Sequence, residues 1–364
     1  MIFITASKRA AIGLLALVAS CSSAQHVAPP PPAQHGQFAR AVTALADKLE
    51  ARYVIRAVGA QYAAQLRANL ARGDYDAIAD RATIAARLAS DLQAVAPDGH
   101  LRVMSEANLT PDGHLRMGAP ADRAAGPQNA ADDRPRLRGP SGPGRPAAIG
   151  DMAWLAEGVA YIQFNEFPGD PETVATVDRF MADHATARAL IIDARSHHGG
   201  GTGEMDVMLP YLYATETPLV DMEVAASLGD NGGPPQAGGN MHKVPAPPGL
   251  VREEQVVTPH PTEHRLFAAQ VFYLTSSRTF SAAEHLAFAL KRTGRAVLIG
   301  ERTGGGNHFG AWESLGDGLA AFIPIGRTLD PITGADWEGV GVAPDVAVPA
   351  TRALDEAIRR ATHR

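Results

Sequence analysis

Cysteine is almost missing: Cys21 stands alone among 364 residues, so no intramolecular disulfide braces the fold. Aromatic residues are sparse at 6%, and Lys and Arg form no long run. With a formal net charge of −6 and a pI near 6.1, the chain lacks the electrostatic footprint of a nucleic-acid binder. The apolar run from Ala10 to Ala19 is too short to span a bilayer permanently. No repeat period marks a solenoid, and no glycine loop ends in the Lys-Ser/Thr pair of a phosphate-binding P-loop. No clear ligand set for a metal is present, and no cofactor is implied.

What remains is an ordinary globular composition, 45% hydrophobic and 20% charged, long enough for one large domain or two moderate ones. The 36 Gly and 27 Pro gather in loops. Residues 1–24 read as an export signal, because Lys8-Arg9 precede the apolar run and small residues follow it. Val18-Ala19-Ser20-Cys21 resembles a bacterial lipobox, which would end the signal at residue 20 and lipidate Cys21. The simpler alternative is a cut after Ser22-Ser23-Ala24. The expectation is a periplasmic or cell-envelope protein whose membrane contact runs only through Cys21. Residues 25–35, rich in proline, form a tether.

Over 36–102 the spacing predicts a small helical bundle. Phe38, Val42, Leu45 and Leu49 share one helical face, Ile84, Leu88, Leu92 and Val95 another, and Tyr53 to Leu70 supplies a third helix ended by Gly73. Residues 103–152 are expected to be a linker or insertion, since from about 118 they hold almost no large apolar side chain. Ser227 to Pro248 reads as a second insertion. From 153 to 350 strand and helix signals alternate: strands at 159–164, 189–193, 270–275 and 296–300, helices at 171–184 and 281–291, and a C-terminal helix over 351–364. This alternation argues for a layered α/β domain with parallel strands, whose sites gather at the carboxyl ends of the strands.

Three loops leave those ends. In the loop after Thr275, Ser281 stands where strand turns to helix, so its hydroxyl lies near unpaired N–H groups that favour developing negative charge. Ser276, Ser277 and Thr279 compete on the same terms, and an N-cap serine is the commoner use. The loop Asp193-Ala-Arg-Ser-His-His-Gly199-Gly200-Gly201 offers backbone donors to an oxyanion, or is a plain turn braced by Asp193 and Arg195. His197 and His198, adjacent in extended backbone, point opposite ways and do not share an ion. Glu284, one turn into the helix, reads as a capping group, and Asp98 as the residue fixing a turn before His100.

Four stretches now take on a joint meaning: Asp193 to Gly200, Thr279-Phe-Ser-Ala-Ala-Glu284, Ile299-Gly-Glu-Arg-Thr-Gly304 and Trp337-Glu-Gly-Val-Gly-Val-Ala-Pro-Asp345. Their order and spacing resemble the tail-specific, or C-terminal processing, serine proteases. The helical unit followed by Pro97-Asp-Gly-His100 resembles the subgroup related to interphotoreceptor retinoid-binding protein and the tricorn core, and no segment reads as a PDZ domain. The resemblance implies a ClpP/crotonase-like α/β catalytic domain and a serine peptidase acting on peptide or protein substrates. Ser-Lys members of the family carry a lysine 25 residues past the serine, where this chain has Gly306. The tricorn-like style instead implies Ser281 as nucleophile, His100 as base and Glu338 orienting the imidazole, with N–H groups of Gly199, Gly200 and Ala282 as the oxyanion hole. Gly99 replaces the serine that bridges histidine and glutamate in such relatives. Pro97-Asp-Gly-His-Leu-Arg102 recurs as Pro111-Asp-Gly-His-Leu-Arg116, which makes His114 a rival base. A different class of function, apolar-ligand or peptide binding without hydrolysis, remains the alternative on the same fold.

Overall fold

The computed structural model describes residues 36–109, 147–231 and 240–363. The signal, the tether, Cys21 and His114 lie outside the described residues. Three helices open the fold, α1 (Ala39–Arg52), α2 (Arg56–Ala71) and α3 (Arg81–Val95). Asp80 caps α3 by accepting the Thr83 N–H at 2.8 Å. Val42, Leu45 and Leu49 of α1 and Ile84, Leu88 and Leu92 of α3 are all fully buried in one core, as their spacing requires.

The apolar faces of these helices close on a sheet. The short strand β1 (Arg102–Ser105) pairs antiparallel with the long β11 (Leu319–Leu329), which also pairs with β10 (Phe309–Gly316) and β5 (Thr217–Ala225). Beyond β5 follow β7 (Leu250–Val257) and β6 (Met241–Val244). Leu315, Leu319, Ala321 and Ile323 share one core with the helices. The helical unit therefore has no separate core, which fits how little area three short helices bury alone.

The second sheet runs β12 (Val346–Ala347), β9 (Val297–Gly300), β8 (Gln270–Thr275), β4 (Ala189–Asp193), β3 (Val159–Phe164) and β2 (Ile149–Ala156). Its strands are parallel except the edge strand β2. The central strands are buried on both faces, hence the unbroken Ala-Leu-Ile-Ile-Asp run of β4. One face carries α4 (Pro171–Asp183), α5 (Gly203–Met208) and α6 (Ala282–Arg292); the other carries α7 (Ala350–Thr362) through Ala353, Leu354 and Ala357.

Two sequence expectations change. The segment 103–152 is not all linker, since Val103–Ser105 belong to β1 and Ile149 onward to β2. The insertion over 227–248 likewise contains β6, which pairs with β7. Both short strands take their place from partners more than a hundred residues away or from a neighbouring hairpin, and their own four residues carry too little pattern to announce it.

Candidate active site

The three loops leaving β4, β8 and β9 are tied into one cluster. Thr279 Oγ1 donates to the Ala194 carbonyl at 2.8 Å, the Phe280 N–H to His197 O at 3.0 Å, and the Gly304 N–H to Thr279 O at 2.9 Å. Ser276 and Thr279, rivals to Ser281 in the sequence, are buried and spend their hydroxyls on Arg195 O and Ala194 O. Asp193 pairs with Arg195 through two bonds of 2.9 and 2.6 Å while Tyr161 donates to it, so this pair is a brace for the loop.

Ser281 caps α6 with φ 57° and ψ −121°, a conformation rare for a residue with a Cβ. Its own N–H donates to Glu284 at 2.9 Å. The buried Glu284 carboxylate also receives the Gly305 and Gly306 N–H groups, each at 2.7 Å, and the Thr303 hydroxyl. Burial pushes its acid up to about 7 against the pull of these four donors. Glu284 thus does more than cap a helix: it joins the β8 loop to the β9 loop directly under the serine.

Gly199 and Gly200 have φ of 122° and 130°, and a Cβ on either would collide, at 2.8 Å from Ser281 Cβ and 2.0 Å from Phe167 O respectively. The Gly199 N–H is already given to His197 Nδ1 at 3.1 Å. That takes Gly199 out of the expected oxyanion donors. The N–H groups of Gly200 and Ala282 have no partner among the described residues. His197 is buried, its pKa drawn down to about 3 by desolvation, whereas His198 is exposed.

His100 arrives from the helical unit on a turn made by Asp98, whose Oδ1 accepts the N–H of His100 at 2.8 Å and of Leu101 at 3.0 Å. Its ring is wedged between Phe280, centroids 4.7 Å apart, and Phe322, 5.6 Å apart. Nδ1 is sealed from solvent without a hydrogen-bond partner, and no hydrogen bond links the ring to the Ser281 hydroxyl or to Glu338. Burial is the main influence on its pKa, lowering it to about 4 although Asp98 pulls upward. This reverses the upward shift that a direct Glu338 contact would give. Gly306 explains where the ring fits: a Cβ there would lie 2.7 Å from His100 Cε1 and 2.2 Å from Phe280 Cζ.

Glu338 sits on a turn held to the β9 loop, where Trp337 Nε1 donates to Gly306 O at 3.2 Å and the Gly339 N–H to Gly305 O at 2.8 Å. Its carboxylate accepts the N–H groups of Asn307 at 2.7 Å, His308 at 3.0 Å and Gly99 at 3.3 Å. Burial raises its pKa. Asp98, His308 and Glu338 each present one atom within 4.8 Å of the others, as a metal triad would. Their oxygens are, however, already occupied: Asp98 receives four donors, two of them Tyr53 Oη at 2.7 Å and His308 Nδ1 at 2.8 Å. The cluster is a hydrogen-bonded ion group.

Comparison with known proteins gives the family and the fold. Residues 158–348, just over half the chain, match the model of peptidase family S41, and residues 28–133 match the N-terminal domain of Peptidase_S41 in eukaryotic IRBP. The chain belongs to peptidase family S41. It is 40% identical over 73 residues to carboxyl-terminal-processing peptidase 3, chloroplastic, of Arabidopsis thaliana, a stretch covering 20% of this chain and 14% of that protein. A second Arabidopsis thaliana relative, carboxyl-terminal-processing peptidase 1, chloroplastic, is 36% identical over 80 residues, 22% of this chain and 16% of its own. The chain thus matches only a small part of these relatives' length. Among solved structures, a candidate peptidase from Parabacteroides merdae covers 89% of this chain and 96% of its own at 15% identity, with a TM-score of 0.58. A lipoprotein from Streptococcus agalactiae covers 93% and 99% at 13% identity and 0.51. These two share the fold.

Proposed function

We propose that this chain is an exported serine peptidase, in which Ser281 Oγ attacks the carbonyl carbon of a peptide bond and His100 takes its proton. The N–H groups of Gly200 and Ala282 receive the oxyanion, His100 returns the proton to the leaving amine, and water resolves the acyl-enzyme. The observation that carries the reading is the pairing of Gly306 with His100. The position that bears lysine in Ser-Lys relatives has no side chain, and a ring bound to the helical unit fills that space. A neutral imidazole suits the base, because its lowered pKa keeps it unprotonated at pH 7.

Glu338 supports His100 from a distance, through the turn it braces at the Gly99 N–H. The positively charged and apolar run before Cys21 is the reason for placing the protein in the periplasm or cell envelope, anchored by a lipid on Cys21. The test is turnover of one unfolded protein substrate by equally folded variants. S281A is expected to be inactive, H100A to lose about 10²-fold or more, and E338Q and H114A to lose less. Equal turnover by wild type and S281A would sink the serine mechanism, and H114A slower than H100A would move the base to the second Pro-Asp-Gly-His copy.

A further inference from the structure

The side chain between Glu338 and Asp98, the residue that makes the His100 turn, is another histidine. His308 Nδ1 lies 2.8 Å from Asp98 Oδ2 and 3.8 Å from Glu338 Oε2. The other Asp98 oxygen holds the backbone N–H groups of His100 and Leu101. The Tyr53 hydroxyl completes the Asp98 shell, and the Tyr53 ring meets His308 edge-on at 6.1 Å. Asp98 and His308 are each 3% exposed. A continuous polar chain thus runs from Glu338 through His308 and Asp98 to the turn that presents His100. It also joins the helical unit, which owns Tyr53 and Asp98, to the loop after β9, which owns His308.

We propose that His308 is a positioning residue for His100: as a cation clamped between Asp98 and Glu338, it locks the turn that aims the base at Ser281. This inference rests on the reading of His100 as base. It accounts for the lack of contact between Glu338 and His100, and for Gly99 standing where relatives have a bridging serine.

The charged and titratable groups facing His308 are Asp98, Glu338, Asp336, Tyr53 and His100. Burial favours the neutral ring, but the Asp98 hydrogen bond and charge, with Glu338 and Asp336 behind it, hold the pKa above 6.5. Asp98 is held at about 2 and Tyr53 is pushed far above its ordinary range, so neither changes charge near neutrality. Below its own pKa His308 carries the charge that two carboxylates need. As pH rises through that value the cation is lost, Asp98 and Glu338 repel, and the turn loosens. Catalysis should then show an alkaline limb that belongs to His308, separate from the acid limb of His100.

The experiment is the rate of Ser281 phosphonylation by a fluorophosphonate, with loss of fluoride, across pH for wild type and His308→Asn. Asparagine keeps a donor where Nδ1 stood but cannot charge. Expected are a loss of about tenfold at neutral pH and disappearance of the alkaline limb, with the acid limb kept. A folded H308N whose profile overlies that of wild type overturns the inference, as does a uniform loss with the alkaline limb intact. Wild type that is not phosphonylated at Ser281 overturns the peptidase reading and the inference with it. If H308N does not fold, the ring titration of His308 in wild type, read by NMR, decides: it must coincide with the alkaline limb, and a mismatch overturns the inference.

Discussion

At the scale of single residues, the serine is marked by its backbone as much as by its hydroxyl. A non-glycine residue at φ 57°, ψ −121° costs about 1–3 kcal/mol, held here by the Glu284 carboxylate on its N–H. Replacing Ser281 by glycine should therefore raise stability relative to Ser281→Ala by about 1 kcal/mol while both abolish hydrolysis. Thermal unfolding of the two variants checks it, and equal midpoints would remove the strain. His100 gives a second expectation. Since burial lowers its pKa to about 4, the rate should stay high below pH 6 and fall only as pH nears that value, not around 6.5. A half-maximal rate near 6.5 would show a solvated ring. Ser281, His100 and Glu338, the proposed catalytic residues, could be singled out in the sequence because each sits in a motif with fixed spacing. His308 and Tyr53 were not, because each matters only through Asp98, to which neither is near in sequence.

Among the elements, the loops after β4, β8 and β9 work as a unit whose glycines leave room for others. Gly306→Ala would drive a Cβ into Phe280 and His100, so it should cost activity about 10²-fold or more with little change in the unfolding midpoint. Full activity in G306A would mean that the ring sits elsewhere. The helical unit carries His100 yet shares its core with β11. Leu45 and Leu88 are fully buried, and truncating either to alanine should destabilise by about 2–5 kcal/mol in a single cooperative unfolding transition. Two separate transitions by calorimetry would contradict the shared core. Sequence periodicity located β3, β4 and β8 to the residue, because buried parallel strands are unbroken apolar runs bounded by turns. It missed β1, β2 and β6, which are short or half-exposed and owe their form to pairing, and it named no strand at β5, β7, β10, β11 or β12.

For the whole molecule, pH acts on stability through buried histidines. His100, His197 and His285 are all lowered by burial, to about 4, 3 and 4. Between those values and the unfolded value of about 6.5 the unfolded chain binds more protons, so stability rises with pH across that window and is lost on acidification. His308 acts in the opposite sense, contributing below its raised pKa and losing that contribution as pH climbs through it. A denaturation midpoint measured from pH 4 to 9 should climb up to neutrality and then sag, and a flat profile below pH 6.5 would place these rings in water. The proposed mechanism requires that Ser281 be activated by a histidine delivered from the helical unit. Fluorophosphonate labelling followed by peptide mapping tests it most directly. Wild type should carry the label on Ser281, and H100A, equally folded, should react slower by about 10²-fold or more. Labelling of H100A at the wild-type rate, or none on folded wild type, would contradict it.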